Sequence, residues 1–326
     1  MVYRYVTSIV LVFSLFPVFA NTETENKSSA TLTVEVINKT ANGTPVKNDE
    51  IILQIYQHQQ LIDTFEGQAS EDGKAIFNNV PAGEQFIAVP RAKHMEMMFT
   101  GQAVKLSGSE DKIDAQVAVF DVSMDQSKLS VSMHHLIIKE STETKSLEIT
   151  EFMQIENSSD MAISSKERDK QGHAIVLNIM LPKRFRNLQW TSYFEENALV
   201  VTEDGFYDIM AVPPGSYQAT FSYTLGITSP TMDISKKVSL PTANFMIFAQ
   251  GQPQLHTSND SNKQIMNMNG TSMEYLKFSD IVPPRDISFQ VTGLTVDKHN
   301  IITWIILTTV FIAMIIFAIV RSGTSK

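Results

Sequence analysis

Between residues 30 and 294, apolar residues recur at every second position along short runs. In TLTVEVIN, residues 31–38, Leu32, Val34 and Val36 fall on one face of an extended chain, and three polar residues fall on the other. A period of two is the pattern of a strand with one buried face, because successive side chains of a strand point to opposite sides. No long stretch with the 3.6-residue period of a helix competes with it. The pattern therefore favours an all-β fold.

Further short runs are rich in β-branched and aromatic residues and are separated by turn sequences such as Asp72-Gly73. We predict tandem antiparallel β-sandwich domains, one over residues 30–123 and a second region over residues 128–294 built as one or two subdomains. The other predicted strands are 51–56, 86–89 and 115–120 in the first region and 129–133, 147–155, 174–181, 199–202, 217–223, 244–249 and 287–291 in the second.

One turn motif occurs twice. EDGKAIFNNVPAG covers residues 71–83, and EDGFYDIMAVPPG covers residues 203–215. D-G predicts a tight turn, because glycine tolerates positive φ. The apolar residue four positions after that glycine, Phe77 or Ile209, is predicted to point into the core. V-P-x-G is predicted to end the strand, since proline cannot donate to a ladder. The motif specifies a fold and carries no side chain suited to chemistry.

The first copy of the motif, followed by an apolar strand, resembles the carboxypeptidase regulatory-like domain, a transthyretin-type β-sandwich, over residues 30–120. The remainder is similar to bacterial single-span envelope proteins that join such a domain to a second β-region and a C-terminal span. In the first family this domain is an accessory or a binding module, so the resemblance implies architecture and binding. The second similarity is carried by VFD at 119–121, HLI at 135–137, EN at 156–157, LP at 181–182, VPPG at 212–215, FSY at 221–223 and TGL at 292–294.

The N-terminal residues predict export. Residues 1–20 combine a positive Arg4, an apolar stretch at 6–16 and a small-residue cleavage site at Ala20, as in a secretory signal peptide. An uncleaved anchor helix is the alternative, although the apolar stretch is short for a span. Residues 21–29 have the composition of a disordered arm.

The C-terminal residues predict an anchor. Residues 301–320 contain no charge, and a helix of this length matches a bilayer core. Trp304 suits the interface, and Arg321 ends the span. A buried helix of a soluble protein is the alternative. We predict a polar tether at residues 295–300, a transmembrane helix in contact with lipid at 301–320 and a short cytosolic tail at 321–326.

Charge and cysteine content bear on partners and compartment. Of 26 Lys and Arg and 35 Asp and Glu, only three basic residues lie outside residues 21–300, so the predicted ectodomain is strongly acidic. Nucleic acid is an unsuitable partner for such a surface. The chain has no cysteine, and exported bacterial proteins often fold without disulfides. We predict a single-pass protein of the bacterial inner membrane, its N-terminal ectodomain in the periplasm or outside. The sequence also contains six N-x-[ST] sequons, the acceptor sequence for N-glycosylation. A eukaryotic cell surface is therefore the alternative location.

Known catalytic constellations are missing from the sequence. Without cysteine there is no thiol nucleophile, and G-x-S-x-G, P-loop and G-x-G-x-x-G sequences do not occur. None of the seven histidines has a glutamate three residues later, as a zinc peptidase of the resembled kind requires. We therefore predict a protein that is not an enzyme. A hydrolase with an unrecognised site is a lesser alternative.

Methionine and histidine cluster at three places, and thioether and imidazole are ligands for copper. The clusters are His94 to Met98, Met266 with Met268 and Met273, and Met133-His134-His135. In a strand His94 and Met98 would share a face, whereas His134 and His135 would face opposite ways. The alternative is that these methionines fill irregular gaps in the core. His94, Met98, Met266 and Met268 are thus weak candidates, and we commit to no metal site and no cofactor.

The function predicted from the sequence is a non-catalytic, membrane-anchored envelope protein whose exported β-sandwiches bind or position a partner protein or assembly. The candidate partner surfaces are exposed strand edges and the end loops at 80–85 and 213–217. The alternative is an accessory protein that handles copper or haem with its Met/His clusters.

Overall fold

The computed structural model of the chain describes residues 28–108, 112–258, 260–268 and 271–296. The predicted signal peptide (1–20), transmembrane helix (301–320) and cytosolic tail (321–326) lie outside these residues. The described part consists of 23 strands and three short 3-10 turns, which confirms the all-β prediction. It contains no helix with the length and hydropathy needed to cross a bilayer.

The first region forms two facing sheets. Their strands are β1 Ser28–Asn38, β2 Glu50–Gln57, β3 Gln60–Gln68, β4 Lys74–Ala82, β5 Phe86–His94, β6 Met97–Thr100, β7 Val104–Lys105 and β8 Lys112–Val119. One sheet has the order β4-β1-β8, and the other has the order β3-β2-β5-β6 with β7 also paired to β5.

The remaining strands build the second region. They are β9 Val122–Ser123, β10 Leu129–Ser141, β11 Ser146–Asn157, β12 Ala162–Ile163, β13 Leu177–Met180, β14 Arg186–Ser192, β15 Leu199–Thr202, β16 Gly205–Asp208, β17 Gly215–Gly226, β18 Thr231–Val238, β19 Thr242–Gln250, β20 Gln254–His256, β21 Lys263–Met268, β22 Thr271–Ile281 and β23 Arg285–Thr292. A seven-stranded sheet, β14-β17-β11-β10-β19-β22-β21, packs against two three-stranded sheets, β13-β16-β15 and β18-β23-β20. Buried residues from Leu129 to Leu294 form one contiguous core between these layers.

The predicted antiparallel pairing holds for most strands but needs correction. Among the described strands, β1 pairs with β8, β10 with β19, and β9 with β12 in parallel. Each parallel pair is joined by a connection of more than thirty residues, and long crossovers are what parallel pairing requires. The predicted arm at 21–29 also needs correction, because β1 begins at Ser28 and pairs there with β4.

The repeated turn motif folds as predicted in the first region and differently in the second. Gly73 has φ of 77° and Phe77 is buried, so the turn and its core residue are confirmed. In the second copy β16 ends at Asp208, before Ile209, which is only half-buried. Ile209 is therefore not the core residue of that strand, and Phe206 takes this place.

Contacts from the second region reach the first. Ala162 and Ala211 belong to the core of the first region. Thr40 donates to the carbonyl of Asp160 at 3.0 Å, and the Ala41 amide donates to the Asp160 carboxylate at 3.2 Å. The loop after β1 is thus held by the segment between β11 and β12.

Candidate functional site

His94 lies at the end of β5 with both ring nitrogens against carboxylates, and it is only 2% exposed. Nδ1 is 2.7 Å from Asp49 Oδ2, and Nε2 is 3.1 Å from Asp121 Oδ1. Thr44 Oγ1 lies 3.0 Å from Nε2, and Asn38 Nδ2 donates to Asp121 Oδ1 at 2.7 Å. Residues 38–49 and the chain after β8 therefore converge on one imidazole of β5.

Asp121 is the more strongly stabilised carboxylate of this His94 network. Burial by itself raises its pKa, but hydrogen bonds from His94, Asn38 and Thr44 outweigh that effect and lower the pKa to about 2. At Asp49, burial outweighs the His94 contact and raises the pKa. The network holds the loop after β1, and the ring nitrogens of His94 are engaged within the protein.

The turn between β5 and β6 separates the first pair of metal candidates. Met95 and Glu96 have φ of 46° and 66° and form a two-residue turn, so His94 pairs with Met97 while Lys93 pairs with Met98. Met98 therefore lies on the opposite face from His94. The shared face expected for His94 and Met98 is not found, because the expectation assumed a continuous strand. No Gly, Asn or Asp marks this turn in the sequence.

The second pair of candidates lies in the hairpin of β21 and β22. Met266 pairs with Met273, and Met268 pairs with Thr271. Within the described residues, His, Asp and Glu side chains form no group of three that could hold a metal ion.

A second charged network lies inside the core of the second region, around Glu151 of β11. This side chain is fully buried. It accepts from Lys236 Nζ of β18 at 2.8 Å and from the Tyr223 hydroxyl of β17 at 2.8 Å. Its other oxygen lies 2.6 Å from His134 Nε2 of β10. The sequence carries no spacing signal for this set, because its members come from four strands.

The Glu151 network is an ionic centre closed off from solvent. Burial alone raises the pKa of Glu151, but Lys236 and His134 lower it to about 2. Burial lowers the pKa of Lys236, whose ammonium lies 5.7 Å from the centre of the Phe221 ring. The adjoining cavity has a volume of about 20 Å³ for a water-sized sphere, which suits one water molecule. No substrate of ordinary size reaches these groups.

Asp208, at the end of β16, is a third buried charge. It is 3% exposed, and its Oδ1 accepts from the Met210 amide at 2.8 Å. Burial first, and then the nearby charge of Glu195, raise its pKa to about 6. The burial of Asp208 follows from the second copy of the turn motif, where four consecutive residues from Gly205 are buried.

The first region also presents an apolar strand edge. Within the described residues β3 pairs only with β2, so its outer edge is free. Leu61 and Ile62 are 50% and 45% exposed. The register aligns Leu61 with Tyr56 and Tyr56 with Ile87, which is 39% exposed. Leu61 and Ile62 of β3, Tyr56 of β2 and Ile87 of β5 are together called the β3 surface below.

The two predicted end loops differ in setting. Residues 80–85 close the β4–β5 connection, where Phe86 donates to the Gly83 carbonyl at 3.0 Å. Residues 213–217 follow Val212, which bonds to Ile163 in both directions at 2.9 Å, and Ala211, which belongs to the core of the first region. The second loop therefore adjoins the contact between the two regions.

The chain has only a low similarity to known proteins. No family model matches the chain, and no curated protein matches it. Among solved structures, a protein described as nutrient binding from Legionella pneumophila shares 12% identity, with 53% of this chain and 69% of that chain covered and a TM-score of 0.28. An M1 zinc metallopeptidase from Deinococcus radiodurans bound to a Tyr-Ser-Ala substrate shares 12% identity, with 52% and 44% covered and a TM-score of 0.29.

Proposed function

We propose that this chain is a non-catalytic envelope protein, anchored in a bacterial inner membrane by residues 301–320, whose exported β-sandwiches bind or position a partner protein. Residues 1–20 direct export in this proposal. Residues 30–123 form a carboxypeptidase regulatory-like module that faces the periplasm.

The observation that carries the proposal is the β3 surface. An unpaired strand edge is a template for an added strand, and natural proteins ordinarily blunt such edges. Here the free edge begins with two exposed apolar side chains, Leu61 and Ile62, and continues into an apolar row. An extended segment of a partner polypeptide would pair with the β3 backbone and place apolar side chains over Leu61 and Tyr56.

The charged side chains support a role without catalysis. A catalytic group must reach a substrate with a proton or lone pair to exchange. The ring nitrogens of His94 and both oxygens of Glu151 are instead engaged by neighbouring side chains in buried positions. These groups hold the scaffold together and leave binding to the surface.

The test compares full-length chains that are cross-linked in native membranes and then purified. Leu61→Lys with Ile62→Lys adds two charges to the β3 surface, and Val201→Lys, at a side chain 53% exposed on β15, is the matched control. We expect a stoichiometric partner with the wild type and the control, and its loss with the double variant. Equal recovery from all three chains would contradict the role of β3, and no partner from any of them would contradict the proposed function.

A reporter fused after Lys326 tests the predicted topology independently. An enzyme that is active only in the cytosol should be active there, and one that is active only after export should not. The reverse result would overturn the anchoring by residues 301–320.

A further inference from the structure

The outer face of the seven-stranded sheet brings two residues of the Met133-His134-His135 cluster together with Met246 of β19. Met133 and His135 of β10 and Met246 of β19 are half-buried, whereas their neighbours His134 and Phe245 are buried in the core. Since side chains alternate along a strand, the three half-buried residues project from the outer face.

The strand register brings these three side chains together. His135 is aligned with Met246 in the parallel pairing of β10 and β19, and adjacent strands lie about 4.8 Å apart. Met133 precedes His135 by two residues, which is about 6.6 Å along the strand on the same face. A flexible thioether reaches over either distance. Two sulfur atoms can therefore approach one imidazole from two directions.

The imidazole of His135 has an unused nitrogen. Nε2 is shielded from solvent and has no hydrogen-bond partner among the described residues. Leaving a buried polar atom unpaired costs free energy. The Phe248 ring meets the imidazole edge-on at 5.3 Å, and Phe152 is its aligned neighbour on β11. Apolar side chains thus surround a nitrogen that lacks a partner.

We propose that Met133, His135 and Met246 bind one Cu(I) ion, with Nε2 of His135 as the nitrogen ligand and the two thioethers as sulfur ligands. Soft thioethers select Cu(I) over hard cations, and imidazole suits copper. The aligned neighbour of Met246 on β22 is Lys277, whose positive charge repels a divalent ion more strongly than the monovalent Cu(I).

The site is tested on the full-length chain in detergent under anaerobic conditions. Cu(I) is titrated in competition with a chromophoric chelator, and Ag(I) serves as an air-stable probe. We expect one ion per chain and an X-ray absorption spectrum with two sulfur neighbours and one nitrogen. Met246→Leu and His135→Leu should each weaken binding by about tenfold or more, since loss of even an outer-shell partner costs 10–100-fold.

Three controls keep the result specific. Met124→Leu changes an exposed methionine elsewhere, and Met98→Leu and Met266→Leu change the other Met/His clusters; all three should bind like the wild type. Thermal unfolding shows whether the Leu variants are folded, and leucine for methionine is close to volume-conserving. The proposal is overturned by absence of one-to-one binding in the wild type, or by unchanged affinity in folded Met246→Leu and His135→Leu chains. If binding is lost in Met98→Leu or in Met266→Leu but kept in Met246→Leu and His135→Leu, the ion lies elsewhere. That result would also overturn the proposal.

Discussion

The two regions of the molecule each bury a histidine against carboxylates, and they balance the charge differently. In the first region, Asp121 is stabilised by hydrogen bonds from His94 and from the neutral donors Asn38 and Thr44. In the second, Glu151 is fully enclosed and is bonded to the Lys236 ammonium. Hydrogen bonds from a histidine and two neutral side chains stabilise the carboxylate at the end of the first sandwich, whereas the enclosed carboxylate in the second core is paired with a lysine, because the cost of burying a charge rises with depth.

The largest expected effect follows from removing the charge of Glu151. Glu151→Gln leaves the Lys236 ammonium buried and uncompensated, which costs about 3–5 kcal/mol when one partner of a buried pair is removed. Urea denaturation of the full-length chain at pH 7 measures the loss. Glu148→Gln, on the outer face of the same strand, should change the free energy of unfolding by less than about 0.5 kcal/mol.

A second variant separates the charge from the packing. Adding Lys236→Met to Glu151→Gln removes the stranded cation, and an apolar side chain of similar length takes its place. The double variant should recover more than half of the stability lost in Glu151→Gln. If it is less stable than the single variant, the two side chains do not act as a compensating pair.

The corresponding change in the first region should have a smaller effect. Asp121→Asn turns an acceptor of several hydrogen bonds into a partial donor and should cost about 2–3 kcal/mol. Because the pKa of Asp121 is lowered to about 2 from 3.8, its contribution is present above about pH 4 and lost as the pH falls towards 2. Urea midpoints across that range should fall for the wild type and for the exposed control Asp114→Asn, and fall less for Asp121→Asn.

The contribution of Asp208 to stability should change with pH in the opposite direction to that of Asp121. Its pKa is raised to about 6 from 3.8, so the folded chain binds more protons between these values and loses stability as the pH rises through them. Asp208→Asn keeps the acceptor for the Met210 amide and removes the charge. It should stabilise the chain by about 1–3 kcal/mol at pH 8 and by little near pH 4. Equal effects at both pH values, or an equal gain in the exposed control Asp204→Asn, would contradict this assignment.

The sequence predicts the strands far better than it predicts these networks. Period-two alternation locates β1, β2 and β17 because it reports which face is buried. It misses β3 and β18, whose runs are interrupted by polar residues, and the turn at Met95-Glu96. The Glu151 set is beyond prediction from spacing, because strand order brings β10, β11, β17 and β18 together only in the folded chain.

The smallest predicted effect concerns the link between the regions. Arg91 and Glu195 are 3.6 Å apart, and the glutamate is 41% exposed, so Glu195→Gln should cost at most about 1 kcal/mol, less at high salt. The same change should lower the pKa of Asp208, since the charge of Glu195 helps to raise it, and this relief offsets part of the loss at pH 8. Glu195→Gln in the Asp208→Asn background isolates the ion pair, because no carboxylate remains at position 208. A loss above about 2 kcal/mol in that background would show that the contact is more deeply desolvated than an exposed pair.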